Sequence, residues 1–362
     1  MRLRLPGGLV RTAAVATLAV SLAAALLFPE SVAAAKSDYD SPYGYDRTWN
    51  SALRFVRVDL GLKILEKDQS SGYLLFEYHS PETTEEALGL LGELGADAKV
   101  LAGGQSLMPL MNLRLTAPGH LIDINRIPEL RESARMNGTL RLGATTRHQD
   151  LGQRADIADC CPLLPEAAVY IGHPQIRTRG TLGGSLAHAD PSAELPAVAV
   201  ALDATVVVRS VRGERRVSAA DFFTYHLTTD LDEDELVVAV DFPVAGPRQG
   251  SAFGEVAARF GDFAMVGAAA VVRLGEDGKV EDARIVCSSV AGTPKRVPEA
   301  EDVLRGQEAV TAVLGEVEAA VARTLDPAPQ PKVSAGYKRR TAAVLARRAV
   351  EKASQSALRR MS

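Results

Sequence analysis

The spacing of hydrophobic and polar residues changes several times along the chain, and each change predicts a different segment. Residues 12–28 form one continuous apolar run, with arginines before it and the small residues of 31–35 after it. This order is typical of a secretory signal peptide, and it predicts that residues 1–35 are removed by cleavage after Ala35. The alternative is an uncleaved membrane anchor, for which the run is short. No other segment of the sequence is apolar enough to span a membrane.

Residues 36–75 predict a small accessory unit made of a helix and a hairpin. Apolar residues recur at helical spacing over 48–60, and the polar turn 67–72 separates two apolar segments in the manner of a β-hairpin. The unit contains no paired acid and base and no glycine loop, so we expect it to be structural.

Residues 76–132 predict the first lobe of a larger domain. An amphipathic helix at 83–94 precedes a short buried strand at 98–101, and a second strand follows at 121–124. This order is that of a βαβ-like unit, in which the two strands lie parallel.

Residues 133–246 predict a second lobe, and residues 251–356 a smaller C-terminal domain. The second lobe opens with Asn137 and Gly138, a pair that favours a tight hairpin turn, and continues with short helices and strands. In the C-terminal domain the pattern predicts three antiparallel strands and then two helices, an α+β arrangement. The strands are expected at 254–258, 267–274 and 280–288, and the helices at 299–323 and 339–356.

Composition and charge exclude several classes of protein. The chain is 46% hydrophobic and carries a net charge of −4, with no basic run of the kind that follows a phosphate backbone, so we expect no nucleic-acid partner. Its three cysteines provide neither a disulfide framework nor the spacing of a metal site. No arrangement of a nucleophile with a base stands out, so we assign no catalytic acid or base and no metal.

Two glycine-containing stretches carry the chemistry that remains. The first, residues 101–107, reads LAGGQSL and lies between a predicted strand and a predicted helix. The second lies within His173–Pro196, a stretch rich in charged and polar residues that we expect to be a long loop. Adjacent glycines let several backbone N–H groups converge on an anion, and a helix that begins there adds partial positive charge. Two such loops predict an anionic cofactor held between two lobes.

Several long segments resemble one family in their order along the chain. They are LAGGQSLMPLMNLRL, HLIDINRIPEL, LRLGATTRHQDL and IGHPQIRTRGTLGGSLAHADPSAELPA. Together they resemble the FAD-binding medium subunit of molybdenum hydroxylases, of the carbon monoxide dehydrogenase and xanthine dehydrogenase type, over residues 76–348. The resemblance implies an α+β fold: a two-lobed FAD-binding domain of the PCMH/vanillyl-alcohol-oxidase type, followed by the smaller α+β domain.

The resemblance also implies which residues hold FAD. The first loop would bind the pyrophosphate through backbone amides, the second would close on the same group, two acidic residues would lie along the ribityl and adenosine portion, and an aromatic residue would approach the flavin. Phe263 stands where relatives often have Tyr, so a hydroxyl contact is missing, and Gln105 stands where many have His. The implied FAD-binding residues are Ala102, Gly103, Gly104, Gln105, Ser106, Thr181, Leu182, Gly183, Gly184, Ser185, Asp190, Glu194 and Phe263.

The implied activity is electron transfer within an oxidoreductase complex. A molybdenum-cofactor large subunit would oxidise the substrate, an iron–sulfur small subunit would carry the electrons to FAD on this chain, and an external acceptor would receive them. The alternatives are a stand-alone FAD oxidoreductase and an exported binding or structural protein with a degenerate flavin domain. The family implies a cytoplasmic location, which conflicts with the signal-peptide pattern of residues 1–35.

Overall fold

The computed structural model describes residues 64–68, 73–76, 79–113, 115–331 and 333–361. The expected signal peptide and the expected helix at 48–60 lie outside these residues. The chain divides into two compact units, the first comprising residues up to Glu129 together with 233–235, and the second comprising 130–232 and 236–362. None of the helices in the described residues combines the length and the apolar character needed to cross a membrane.

The first unit contains an antiparallel hairpin and a parallel strand pair. The hairpin, expected from residues 62–78, is confirmed, and its strands β1 and β2 pair antiparallel. Strands β3 and β4 pair parallel in register, as the βαβ pattern predicts. Helix α1 begins at a Thr83 cap, whose side chain accepts a hydrogen bond from the Glu86 N–H. The elements are β1 (Ile64–Asp68), β2 (Tyr73–Phe76), α1 (Thr84–Leu94), β3 (Ala98–Leu101), α2 (Leu107–Asn112) and β4 (His120–Asp123).

The second unit begins with a five-stranded antiparallel sheet of order β5-β6-β11-β7-β8. The hairpin at Asn137-Gly138 is confirmed, and both residues have positive φ, 51° and 75°, as a type I′ turn requires. The strands of this sheet are β5 (Ser133–Met136), β6 (Thr139–Gly143), β7 (Thr205–Ser210), β8 (Gly213–Ser218) and β11 (Leu236–Pro243). A two-stranded ladder is formed by β9 (Phe223–Tyr225) and β10 (Thr228–Thr229).

Short helices connect β6 to β7, and they correct one expectation. The stretch His173–Pro196 is not a long loop, because it contains two short helices and the start of a third. One of them, Leu182–His188, is capped by Thr181, whose side chain accepts a hydrogen bond from the Gly184 N–H. The helices are α3 (His148–Gln153), α4 (Ala155–Cys160), α5 (Leu163–Ala168), α6 (Pro174–Arg177), α7 (Leu182–His188), α8 (Glu194–Ala201) and, after β8, α9 (Ala219–Phe222).

The C-terminal part of the second unit is a sheet of order β12-β13-β14-β15, antiparallel throughout. The three expected strands are present, but a short fourth strand makes the sheet four-stranded rather than three-stranded. The expected helix at 299–323 is divided in two, because Gly306 takes a left-handed conformation with φ of 76°. The elements are β12 (Gln249–Ala257), β13 (Ala264–Leu274), β14 (Val280–Ser288), β15 (Lys295–Arg296), α10 (Pro298–Leu304), α11 (Thr311–Thr324) and α12 (Ala335–Arg359).

Both faces of this sheet are covered. Helix α12 packs against β12 and β13, and helix α8 packs against β13 and β14. Two buried clusters result: one contains Phe253 and the apolar face of α8, and the other contains Ala252 and the apolar face of α12. Because neighbouring residues of a strand point to opposite faces, β12 serves both clusters.

Candidate functional site

The first glycine loop is held open by a left-handed residue. Gly104 has φ of +71°, a conformation that glycine adopts without steric cost. A Cβ atom at Gly104 would lie 3.2 Å from the Leu101 Cδ1 and 3.3 Å from the Met108 Cγ. The Gln105 side chain folds back and donates to the Gly103 carbonyl at 3.1 Å. The loop therefore presents its backbone, not large side chains.

The backbone N–H groups of this loop have no hydrogen-bond acceptor among the residues that the structure describes. Among the described residues, none of the five N–H groups of 102–106 donates a hydrogen bond, whereas the Gly104 and Ser106 carbonyls accept from Met108 and Leu110 of helix α2. Residues 102–106 are half-buried, and backbone donors in such a position bond to water or to a ligand when the chain supplies no acceptor. Loop 102–106 is thus suited to an acceptor that comes from outside the chain.

Asn125 orients this loop from the end of the neighbouring strand. Its side-chain Nδ2 donates to the Ala102 carbonyl and, at 3.4 Å, to the Leu101 carbonyl, while the Asp123 side chain lies 2.6 Å from the same nitrogen. With these carbonyls turned toward Asn125, the amides of the loop are left for a ligand. Sequence analysis missed Asn125, although the loops that follow parallel strands meet at one edge of the sheet.

Replacing Asn125 with Asp is expected to weaken FAD binding by about 10- to 100-fold. The new carboxylate would face two carbonyl oxygens and Asp123 with no proton to donate, so the loop would turn its carbonyls away. The affinity would be measured by titrating the chain without cofactor with FAD and following flavin fluorescence. Asn112→Asp, at the exposed end of α2, adds the same charge in the same unit and should leave the affinity unchanged. Equal affinities for both variants would contradict this role of Asn125.

The second glycine loop has a different geometry, because it is the first turn of helix α7. Thr181 caps this helix, and its side chain accepts from the Gly184 N–H at 3.2 Å. The Leu182 N–H donates to the Thr146 carbonyl at 2.9 Å, the Gly183 N–H to the Ala144 carbonyl at 2.8 Å, and the Ser185 N–H to the Thr181 carbonyl at 3.0 Å. The expectation that this loop offers free amides, like the first, is therefore wrong.

Gly183 allows helix α7 to lie close against the sheet. A Cβ atom there would be 2.6 Å from the Ala144 Cβ and 2.9 Å from the Ala144 carbonyl oxygen, closer than atoms in contact approach. Thr181, Leu182 and Gly183 are all buried, whereas Gly184 and Ser185 are half-buried. Only the last two are placed to meet a ligand that the loop contacts.

His148 holds the second glycine loop in place through a hydrogen bond to the first residue of that loop. Its Nε2 lies 2.8 Å from the Thr181 carbonyl, so this nitrogen carries a proton and donates it. Burial lowers the pKa of His148 to about 4, and the nearby Arg147 and Arg177 charges add to this effect, although the Thr181 carbonyl opposes it. His148 is therefore a neutral, structural histidine at physiological pH, which sequence analysis did not identify.

The two predicted acidic residues lie at the start of helix α8. One carboxylate oxygen of Asp190 accepts from the Ser192 N–H at 2.8 Å, closing a turn. Glu194 is in the first helical turn and is 8% exposed. Burial raises the pKa of Glu194 to about 7, against the lowering effect of its own backbone N–H, and the Asp190 charge adds to the rise. Asp190 is thus a turn residue, and Glu194 is a buried carboxyl.

Phe263 lies in the loop between β12 and β13 and is 73% exposed. The same loop contains Gly261, which has φ of +84° and is covered by the ring of His173. A Cβ atom at Gly261 would be 2.7 Å from the His173 Cε1, so only glycine permits this contact. His173 therefore supports the loop that displays an exposed aromatic ring, a role that the sequence analysis did not predict.

Comparison with known proteins decides the family. A model described as the FAD binding domain in molybdopterin dehydrogenase matches residues 74–245, and one described as the CO dehydrogenase flavoprotein C-terminal domain matches 251–353. The carbon monoxide dehydrogenase medium chain of Hydrogenophaga pseudoflava is 40% identical over 279 residues, which are 77% of this chain and 96% of that protein. The chain belongs to the FAD-binding medium subunits of molybdenum hydroxylases. It is therefore an FAD protein and a subunit of an oxidoreductase.

Other relatives of this medium subunit are similar over the same part of the chain. The 6-hydroxypseudooxynicotine dehydrogenase complex subunit alpha of Paenarthrobacter nicotinovorans is 41% identical over 278 residues, which are 77% of this chain and 94% of that protein. The structure of carbon monoxide dehydrogenase from Hydrogenophaga pseudoflava matches with a TM-score of 0.74 and 40% identity over 76% of this chain and 96% of that one. Quinoline 2-oxidoreductase from Pseudomonas putida 86 matches with a TM-score of 0.74 and 34% identity, over 78% and 97% of the two chains. The fold is accordingly an FAD-binding domain followed by the flavoprotein C-terminal domain.

The medium-subunit sites fit FAD in their chemistry. A pyrophosphate requires several convergent N–H donors, which loop 102–106 presents, and an isoalloxazine ring requires an exposed apolar surface, which Phe263 presents. The predicted residues thus fall into three groups in the structure: free amides at 102–106, a capped helix start at 181–185, and polar or aromatic side chains at Asp190, Glu194 and Phe263.

Proposed function

We propose that this medium subunit passes electrons from the rest of a molybdenum hydroxylase complex to an external acceptor. When bound, FAD supplies the redox chemistry, accepting electrons from an iron–sulfur partner and giving them to an external acceptor. The single observation that carries this proposal is the set of free amides of loop 102–106 in a chain of this family. The residues of the chain bind and orient the cofactor, and none is assigned as a catalytic acid or base.

The first loop supports pyrophosphate binding through its backbone. Hydrogen bonds from N–H groups to a charged acceptor contribute about 1.5–3 kcal/mol each, so a few of them provide most of the affinity for a diphosphate. Gly104 permits the left-handed turn, and Asn125 holds the carbonyls away. Ala102, Gly103, Gln105 and Ser106 then act through their amides.

The second unit supports contacts to the rest of the cofactor. Because the amides of 182–185 are already satisfied, we assign contact to the Ser185 hydroxyl and to the close approach that Gly184 allows, with Thr181, Leu182 and Gly183 holding them in place. The free oxygen of Asp190 suits a ribityl or ribose hydroxyl. Phe263 offers a ring face that can stack on the flavin.

The three cysteines of this chain are poorly suited to hold an iron–sulfur cluster, which supports the presence of partner subunits with the other redox centres. Cys160, Cys161 and Cys287 are free and buried. Burial raises the pKa of the Cys161 thiol to about 12, with a smaller effect of Cys160, and raises that of Cys287 to about 12. Iron–sulfur clusters are held by several thiolates, so these thiols are poor ligands. We propose that an iron–sulfur small subunit and a molybdenum-cofactor large subunit bring the other redox centres.

Purification of the chain by an affinity tag in its native host tests this function. We expect one FAD per chain, with molybdenum and iron in the same complex by elemental analysis. Complexes that carry the Gly104→Val variant should retain both metals but lose flavin absorbance and fail to reduce an external dye. A tagged chain that contains flavin, lacks both metals and still turns over would favour the stand-alone oxidoreductase, and a wild-type chain without flavin would contradict the proposal.

A further inference from the structure

A polar notch lies on one face of the C-terminal sheet. Glu255 of β12 pairs with Gly267 of β13, which in turn pairs with Ser288 of β14. Directly paired residues point to the same face, so the Glu255 and Ser288 side chains flank Gly267, which places no side chain between them. A Cβ atom at Gly267 would lie 2.5 Å from the Ser288 Oγ, 3.4 Å from the Phe253 Cζ and 3.6 Å from the Glu255 Cβ. A larger residue at position 267 would therefore displace the Ser288 hydroxyl from this notch.

The polar atoms on both sides of the notch are buried and unsatisfied. The Glu255 Oε2 and the Ser288 Oγ have no hydrogen-bond partner within the described residues. Leaving a buried polar group without a partner costs about 1–3 kcal/mol, so native proteins rarely do so without a use for it. The notch therefore suits a group or a proton that the packing of the chain does not supply.

A second buried carboxyl comes from the start of helix α8. The Ser289 N–H donates to the Pro191 carbonyl at 2.7 Å, and the Ser289 and Ser192 hydroxyls are 3.1 Å apart. These contacts fix the turn before α8 at the end of β14, beside the notch. Burial, and after it the charge of Glu194, raises the pKa of Glu255 to about 8. Glu255 points to the same face of the sheet as Phe253, which packs against α8, so the two carboxyls lie on the same side of the sheet.

The surrounding charged groups do not neutralise this pair. Lys338 of α12 donates from its Nζ to the Ser289 carbonyl at 2.5 Å, and burial lowers its pKa. Glu166 of α5 is paired with Lys352, and Asp190 adds negative charge near Glu194. No cation in the described part of the chain forms an ion pair with Glu194 or Glu255. Burial of two carboxyls on one side of the sheet without a paired cation favours their protonated forms.

The notch lies at the end of the sheet that displays Phe263. Ala257 and Ala264 form the last pair of the β12–β13 hairpin, and Glu255 is two residues before this end. We propose that Glu255 and Glu194 form a proton-holding carboxyl pair beside the bound flavin. The inference rests on the proposed FAD function and adds a proton site to it. For each two electrons delivered to the flavin by the iron–sulfur partner, an ionised carboxylate of the pair forms an O–H bond with a proton taken from solvent.

The pH dependence of the flavin midpoint potential tests this pair. The full-length chain loaded with FAD would be titrated spectroelectrochemically from about pH 6 to about pH 9, as wild type, Glu255→Gln and Glu276→Gln. Gln imitates the protonated acid, so we expect equal potentials for wild type and Glu255→Gln at low pH. Above about pH 8, where Glu255 is ionised next to oxidised flavin, the wild-type potential should fall more steeply, by one additional proton per two electrons. Glu276 lies in the turn between β13 and β14, at the other end of β13 from Phe263, and its side chain is 90% exposed, so the potential of Glu276→Gln should vary with pH as that of the wild type does.

If the midpoint potentials of the wild type and Glu255→Gln fall with pH at the same slope, the proton-holding role is overturned. The proposed FAD binding is unaffected by that result. Failure of the wild-type chain to bind FAD would instead overturn the proposed function. If Glu255→Gln does not bind FAD, infrared spectra of the wild-type chain decide, since they require no cofactor. A protonated-carboxyl band that is present at pH 6 and lost by about pH 9 supports the pair, and its absence at pH 6 overturns it.

Discussion

A Gly104→Val variant is expected to fold and to bind FAD at least about 100-fold more weakly than the wild type. An L-residue in the left-handed region costs roughly 1–2 kcal/mol. A Cβ atom at position 104 would already lie 3.2 Å from the Leu101 Cδ1 and 3.3 Å from the Met108 Cγ, and valine carries two further methyl groups on that atom. Residue 104 relieves this strain by leaving the left-handed conformation. This change turns the amides of 102–106 away from the pyrophosphate. Flavin absorbance after reconstitution and a fluorescence titration with FAD measure the loss.

Gly138→Val provides a matched control for backbone strain. Gly138 has nearly the same conformation, with φ of +75°, and nothing lies within 4 Å of its Cβ position. It lies in a hairpin turn of the second unit, remote in sequence from the first glycine loop. This variant should lose stability to a similar extent and keep its FAD affinity. Loss of FAD in both variants would attribute the effect to general destabilisation, and retention of FAD in Gly104→Val would contradict the assigned role of loop 102–106.

A Gly183→Ala variant is expected to be destabilised by about 3 kcal/mol even without cofactor. The new methyl group would meet the Ala144 Cβ at 2.6 Å and the Ala144 carbonyl oxygen at 2.9 Å, and a backbone carbonyl cannot rotate away as a side chain does. Helix α7 must shift outward, which lengthens the hydrogen bond from the Gly183 N–H to that carbonyl. Thermal unfolding of the chain without FAD should show a melting temperature lower by roughly 6–12 °C.

Gly152→Ala is the control for this second variant. Gly152 is a helical glycine of the same unit, and a Cβ atom there would meet only the Ala168 Cβ, at an ordinary 3.6 Å. It should be neutral or stabilising by about 0.5–1 kcal/mol, because alanine is the better helix former. An unchanged melting temperature for Gly183→Ala would contradict the packing role of Gly183.

The two glycine loops show how far sequence reasoning reaches. In both, adjacent glycines beside hydroxyl residues predicted an anion-binding turn. Only in the first loop do the amides lack an acceptor within the described part of the chain. In the second, the N–H groups of residues 182–184 donate hydrogen bonds to the Thr181 side chain and to the carbonyls of Ala144 and Thr146. These acceptors are distant in sequence, so no local pattern reveals them.

The stretch His173–Pro196 was misread for the same physical reason. Its glycines and charges disfavour a helix locally, yet α6 and α7 form within it. Thr181 caps α7, and the neutral imidazole of His148 donates to the Thr181 carbonyl. Tertiary packing and buried hydrogen bonds outweigh a weak local propensity of a few tenths of a kcal/mol per residue.

The sequence by itself determined the family, the cofactor, the parallel strand pair that leads into the first glycine loop and the three main strands of the C-terminal sheet. Each depends on local order: a motif, an alternation or a turn. Tertiary structure alone decided which amides lack an acceptor among the described residues, that Asn125 orients them, that Gly183 is a packing residue, and that the Glu255 Oε2 is buried without a partner there. Those properties arise because folding brings together atoms that are distant in sequence. The burial of a group and the presence or absence of a hydrogen-bond partner then decide what that group can do, and residue type alone does not.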